Sequence, residues 1–112
     1  MSAAPSESAG AGAGAGAVRT PGAVASPEDA VARFREEGCS GPRFWGNGPG
    51  DRYGRHSHDY HKVLFCLEGS ITFHTADGDV ELEPGDRLDL EPGVEHAATV
   101  GTRGVSCVEA TR

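Results

Sequence analysis

Three histidines at two separated places constrain the fold of this chain more than any other feature. His56 and His58 stand two residues apart, and His96 follows 38 residues beyond His58. Side chains on one face of a strand recur at every second residue, so the first two imidazoles would project together from Cα atoms roughly 6 to 7 Å apart. A single hairpin cannot bring His96 to them across such a separation. A shared site therefore requires a sheet that curls back on itself.

Residues 1–26 have the composition of a disordered tail. They are nearly all Ala, Gly, Ser and Pro, and the AGAGAGA run of residues 11–17 offers no periodic apolar face to offset the entropy of ordering. The tail lacks the basic start and apolar stretch of a secretory signal, and the sequence contains no run of about 18 apolar residues that could span a bilayer. We therefore expect a cytoplasmic protein with one domain over residues 27–112.

The charge of the chain argues against nucleic acid as a partner, and the lack of a spanning apolar run argues against a membrane. The net charge is −7, and acidic residues crowd the middle of the domain. Polyanions are held by clusters of Lys and Arg, which are absent from this region of the sequence. The three cysteines are odd in number and irregularly spaced, which argues against a disulfide framework, and Cys66 and Cys107 lie in apolar runs typical of a core.

One helix and a series of short strands are predicted. Ser26 and Pro27 form a helix start, with Ser as N-cap and Pro at the first helical position, and Gly38 is suited to end a helix over about residues 27–37. From about residue 43 to 111, short runs rich in Val, Leu, Ile, Phe and Thr alternate with turn residues at intervals of about 8 to 12, which is typical of a barrel or sandwich. The fold class is all-β.

Two stretches of this sequence resemble the paired motifs of the cupin superfamily, which are small jelly-roll β-barrels. In the first, Gly50, His56, His58 and Gly69 stand in register with Gly-x5-His-x-His-x3–4-Glu-x6-Gly. The second motif of the family is Gly-x5-Pro-x-Gly-x2-His-x3-Asn. Gly85, Gly93 and His96 are in register with it, whereas Pro92 is displaced by one residue and Val100 replaces the Asn. The resemblance covers about residues 43 to 110. It implies a single cupin barrel that carries one short N-terminal helix and the disordered tail.

The resemblance also implies a divalent metal ion, which could be Fe, Mn, Ni or Zn, held by His56, His58 and His96. A site of three histidines leaves coordination positions open for water or substrate. His61 has the opposite strand parity, but a bend at Asp59 and Tyr60 could rotate it inward as a replacement ligand. The histidines could instead line a polar barrel mouth without any metal.

Lys62 stands where the family's motif has its Glu ligand. With an effective dielectric of ~20 and a separation of ~5 Å, a dication repels an ammonium by roughly 6 to 7 kcal/mol. Holding a lysine neutral at pH 7 costs about 4 to 5 kcal/mol. A metal is therefore incompatible with a charged, inward Lys62, and compatible with a Lys62 that is deprotonated or turned away.

Two functions are compatible with these residues. A metal-dependent enzyme of dioxygenase or isomerase type would act on a small oxyanion or polar metabolite, with Lys62 and Tyr60 as candidate catalytic residues. A non-catalytic binding module would instead hold a small molecule with Lys62 and the histidines, without metal. A domain of about 86 residues buries a limited share of its surface, so we also expect a homodimer that pairs through an edge strand or through Phe44 and Trp45.

Overall fold

The computed structural model describes residues 12–14 and 16–112, and the predicted all-β barrel with one short helix is confirmed. In chain order its elements have the following bounds: β1 Gly12–Gly14, β2 Ala17–Thr20, α1 Pro27–Glu36, β3 Ser40–Asn47, β4 Arg52–His56, β5 Lys62–Thr75, β6 Gly78–Leu82, β7 Arg87–Leu90 and β8 His96–Thr111.

The eight strands form one antiparallel sheet in the order β1-β2-β7-β5-β8-β3, with β4 added on β8 and β6 on β5. Strands β5 and β8 pair along almost their whole length. Strand β5 contains bulges, where the register shifts between Cys66 and Glu68 and again between Gly69 and Ile71. Bulges bend and twist a strand, so the two long strands can belong to both sides of the barrel.

Successive residues of β5 serve two different apolar clusters. Leu64 and Cys66 point into the barrel, whereas Val63 and Phe65 point outward. Helix α1 covers the outer face, where the Phe34 and Phe65 rings lie 5.2 Å apart between centroids. Ser26 caps this helix through its side-chain oxygen, as predicted, because that oxygen accepts a hydrogen bond from the backbone N–H of Asp29.

The prediction of a disordered tail through residue 26 is wrong for residues 16–26. Strand β2 pairs with β7, Ala17 is buried, and the Arg19 guanidinium lies 3.0 Å from the buried carboxylate of Asp86. A Gly- and Ala-rich segment can order in this way because strand pairing satisfies its backbone groups without requiring large side chains. Residues 1–11 lie outside the described residues.

Candidate metal centre and ligand cavity

The structure brings His56, His58 and His96 together at one place. His56 ends β4, His96 begins β8, and the two are direct partners in the register of these strands. His58 follows β4 by two residues. The ring centroids are 4.9 Å apart for His56 and His58, 4.4 Å for His56 and His96, and 5.2 Å for His58 and His96. One ring nitrogen from each residue lies within 4.8 Å of the other two.

Backbone carbonyls orient two of these rings. Nδ1 of His56 donates to the Gly54 carbonyl at 2.7 Å, and Nδ1 of His96 donates to the Val94 carbonyl at 2.9 Å. A carbonyl can only accept, so the proton sits on Nδ1 and the Nε2 lone pair stays available. Carbonyl partners of this kind typically orient histidine ligands of metal ions.

Two of the three Nε2 atoms are buried without a partner. Among the described residues, the buried side-chain nitrogens and oxygens that lack a hydrogen bond are Nε2 of His58 and Nε2 of His96. Leaving a buried polar atom unpaired costs about 1 to 3 kcal/mol, so such atoms call for an occupant. Three nitrogens bound to one ion at ~2.1 Å lie no more than about 4.2 Å apart, so small ring rotations would complete a coordination site.

Burial favours the neutral, metal-binding form of His58 and His96. Burial lowers the pKa of His58, and the positive charges of Lys62 and His56 lower it further. Burial also lowers the pKa of His96, against the opposing effect of its hydrogen bond to Val94. Metal ligation requires neutral imidazole, so this environment favours binding near neutral pH.

Lys62 points inward, and it does so as one half of an ion pair. Its Nζ lies 3.4 Å from Oε1 of Glu109, and both side chains are only 11% exposed. Oε1 of Glu109 also accepts a hydrogen bond from Trp45 Nε1 at 2.9 Å, and Arg43 reaches the second oxygen at 3.4 Å. On the sequence alone, a metal is compatible with Lys62 only if this lysine is deprotonated or turned away. The structure adds a third arrangement, in which a buried carboxylate compensates the charge of an inward ammonium.

These groups line one cavity of about 400 Å³. Its walls are apolar around Leu64, Ile71, Phe73 and Ala98. Its polar lining includes the three histidines, Tyr53 and the ion-pair residues Lys62, Glu109 and Arg43. A concave, mostly apolar space with a few convergent polar groups is the usual form of a small-molecule site.

Tyr60 and His61 lie outside this cavity. The Tyr60 ring stacks on the His58 ring, with centroids 4.9 Å apart and planes at 28°. His61 turns to the outer surface, where its Nε2 is 2.8 Å from Asp89 Oδ1 and its Nδ1 is 3.6 Å from Glu91 Oε2. The structure does not bring His61 to the histidine group, in agreement with its strand parity.

Glu109 and Trp45 are site residues that the sequence reasoning missed. Strand parity could have found Glu109, because it alternates with Val105 and Cys107, which are both buried inside the barrel. A carboxylate on an inward position of an apolar strand is a signal for a polar site. Trp45 was assigned to an edge strand and a dimer contact, but its indole lines the cavity.

Comparisons with known proteins show the family and the fold. The family model of the AraC-like ligand binding domain matches residues 44–106, which is more than half of the chain. Quercetin 2,3-dioxygenase of Bacillus subtilis (strain 168) is 32% identical over 75 residues, covering 66% of this chain and 20% of that protein. The chain thus spans about a fifth of the length of this curated relative.

Solved structures show the same fold at low identity. A cupin superfamily protein of Desulfitobacterium hafniense superposes with a TM-score of 0.58 at 17% identity, over 62% of this chain and 63% of that one. A duf861 family protein of Thermotoga maritima gives 0.61 at 18% identity, over 86% of this chain and 99% of that one. Within the described residues, no helix has the length and apolar character needed to cross a membrane. The chain therefore belongs to the family of AraC-like ligand binding domains and has the fold of the cupin structures.

Proposed function

We propose that this cupin holds a divalent metal ion with His56, His58 and His96 and binds a small molecule in the adjoining cavity. The observation that carries the proposal is the pair of buried, unpartnered Nε2 atoms of His58 and His96, in a group where each of the three histidines offers one ring nitrogen within 4.8 Å of the other two. The donor set of three neutral imidazoles suits Fe, Mn, Ni or Zn. A bound dication would act as a Lewis acid toward an oxygen atom of the ligand.

We further propose that the protein is an enzyme of dioxygenase or isomerase type. The similarity to a quercetin 2,3-dioxygenase supports an oxygen-dependent reaction on a small organic molecule. Lys62 lines the cavity and would contact the ligand directly. Tyr60 stacks on the His58 ring, so we assign it to positioning that ligand ring rather than to contact with substrate.

Metal analysis tests the metal centre. Protein purified without a histidine tag and dialysed against each divalent ion in turn is expected to retain about one equivalent of the preferred ion. The His56→Ala/His96→Ala variant should lose it, whereas His61→Ala should retain it, because His61 pairs with Asp89 on the outer surface. Retention below about a tenth of an equivalent, unchanged in the double variant, contradicts the proposal.

The alternative is a metal-free binding module, and the buried ion pair of Lys62 and Glu109 favours it, because this pair provides polar recognition without any ion. Metal-free protein that binds ligands as tightly as loaded protein, with no turnover under oxygen, would support this second function. Loss of ligand binding when the ion is removed would exclude it.

We also propose a cytoplasmic homodimer. Strand β3 pairs with β8 on one side, and Phe44 on this strand is 56% exposed, so a second copy could cover it. The free thiols of Cys39, Cys66 and Cys107 suit a reducing compartment. Sedimentation of the wild type and of Phe44→Glu at micromolar concentration tests the dimer, and a monomeric wild type contradicts it.

A further inference from the structure

The ligand cavity has a charge of its own, opposite in sign to that of the protein. Lys62 and Arg43 contribute two positive charges to its lining, and Glu109 is the single acid that lines it among the described residues. Lys62, Arg43 and Glu109 thus contribute a net charge of about +1 inside a chain of net charge −7, and a metal dication would add to it.

Lys62 is the group in this lining with unused hydrogen-bonding capacity. An ammonium has three N–H donors, and the ion pair with Glu109 at 3.4 Å engages one of them. Within the described part of the chain, Glu109 is the one acid within ion-pair distance of this ammonium. Lys62 is 9% exposed, so water reaches it poorly, and an oxygen anion in the cavity would recover the hydrogen bonds that burial removes.

The remaining walls limit what else the ligand contains. Leu64, Ile71, Phe73 and Ala98 form an apolar surface, and the indole of Trp45 adds to it. A ligand that fills this space has an apolar body and one polar end. A phosphate dianion would need several cationic donors, whereas Lys62 is the one buried Lys or Arg that lines this cavity among the described residues, and the Arg43 side chain is 72% exposed.

We propose that the cavity selects small monocarboxylates with an apolar body, and that Lys62 binds their carboxylate. Glu109 competes with the ligand for the same ammonium and thereby sets the affinity. The proposal rests on the proposed function in taking this cavity as the ligand site, but the selection by charge operates with or without a metal.

Trp45 supplies the measurement. It is the single tryptophan of the sequence, it lines the cavity, and its indole N–H donates to Glu109, so its fluorescence reports on this group of residues. The probes are 4-methylpentanoate and 4-methylpentanamide, which share size and shape and differ in charge. Each is titrated into metal-free protein and into zinc-loaded protein.

The wild type is expected to bind the carboxylate about tenfold more tightly than the amide. Lys62→Met should reduce this preference to within about twofold, whereas Lys62→Arg should preserve it. Glu109→Gln should raise carboxylate affinity several-fold, because it removes the competing anion. Arg103→Gln, an exposed position outside the cavity, should match the wild type.

Equal binding of the two probes to the wild type, or a carboxylate preference that survives in Lys62→Met, overturns the inference. Thermal melting followed by circular dichroism checks that each variant is folded. If Lys62→Met does not fold, the wild type and Lys62→Arg still test the carboxylate preference. Carboxylate selection in protein that takes up no metal would overturn the metal centre alone. Metal uptake with no selection would overturn this inference alone.

Discussion

Lys62 and Glu109 come from the paired strands β5 and β8, and their charged atoms lie 3.4 Å apart within the lining of the histidine cavity. This pair resolves the conflict between an inward lysine and a metal dication. The carboxylate of Glu109 offsets the repulsion that the ammonium alone would exert on a metal ion in this cavity. Because the two charges cancel, the ion pair adds no net charge beside the three imidazoles.

Removing the carboxylate and removing the ammonium should change metal affinity in opposite directions. Glu109→Gln leaves the ammonium uncompensated and should weaken binding of the preferred divalent ion by about tenfold, whereas Lys62→Met should strengthen it. The double variant should lie close to the wild type, because neither charge remains. Competition with a chromophoric chelator measures all four proteins. Equal metal affinity in the two single variants would show that the pair does not act on the site.

Acid should weaken the link between helix α1 and the sheet. Arg87 donates hydrogen bonds to both carboxylate oxygens of Glu37, at 2.6 and 2.8 Å, and these bonds lower the pKa of Glu37 from its ordinary value of 4.5. The folded state thus binds this proton less tightly than the unfolded state. The stabilisation is complete above pH 4.5 and is lost as the pH falls through the lower folded value.

Glu37→Gln should therefore flatten the fall of the melting temperature between about pH 5 and pH 3. Glu36→Gln is the matched control, since Glu36 is 69% exposed and its one ion pair, with Arg33, lies on the helix surface. If the melting temperature of the wild type falls no more steeply with decreasing pH than that of Glu37→Gln, the Glu37 carboxylate does not contribute to the acid sensitivity.

The segment before the helix should contribute measurably to stability. Ala17 is 2% exposed inside the barrel, whereas its neighbour Val18 is 45% exposed. Ala17→Asp places an unpaired charge in the apolar cluster and should lower the free energy of unfolding by about 3 kcal/mol. Val18→Asp should change it by less than about 0.5 kcal/mol. Urea denaturation compares them, and equal stability would mean that strand β2 does not pack as described.

Gly69 should be irreplaceable at the bulge of β5. It has a φ of 71°, and a Cβ added to it would overlap the carbonyl oxygen of Gly104. Gly69→Ala should cost at least about 3 kcal/mol of unfolding free energy. Gly50 has a similar φ of 75° but open space around it, so Gly50→Ala should cost about 1 kcal/mol. Similar losses at both positions would mean that the close contact is relieved by backbone movement.

Side-chain parity explains how much of the site could be predicted. His56 and His58 have the same parity, and His61 the opposite one, which is the division between cavity and outer surface that the structure shows. The partner of Lys62 could not be predicted in this way. Glu109 lies opposite Leu64 in a register that shifts twice along β5, and no short-range pattern encodes such a register.

The order of residues 16–26 was also difficult to predict from the sequence. Low complexity indicates that a segment cannot form its own core, but it says nothing about the backbone hydrogen bonds that a neighbouring strand offers. Strand β7 offers such bonds to Ala17–Thr20, and Asp86 accepts hydrogen bonds from the Arg19 guanidinium and the Gly22 amide. The helix was easier to predict, because its cap, its first proline and its buried Phe34 are all local features.

The two faces of strand β5 have a consequence for how this protein can change. Substitutions among Val63, Phe65 and their partners on helix α1 alter thermal resilience from outside the barrel wall. Substitutions at Lys62, Leu64 and Ile71 reshape the chamber within. Ligand selectivity and thermal stability thus depend on neighbouring positions of the same strand. Evolution can therefore change the ligand that is bound with little effect on stability.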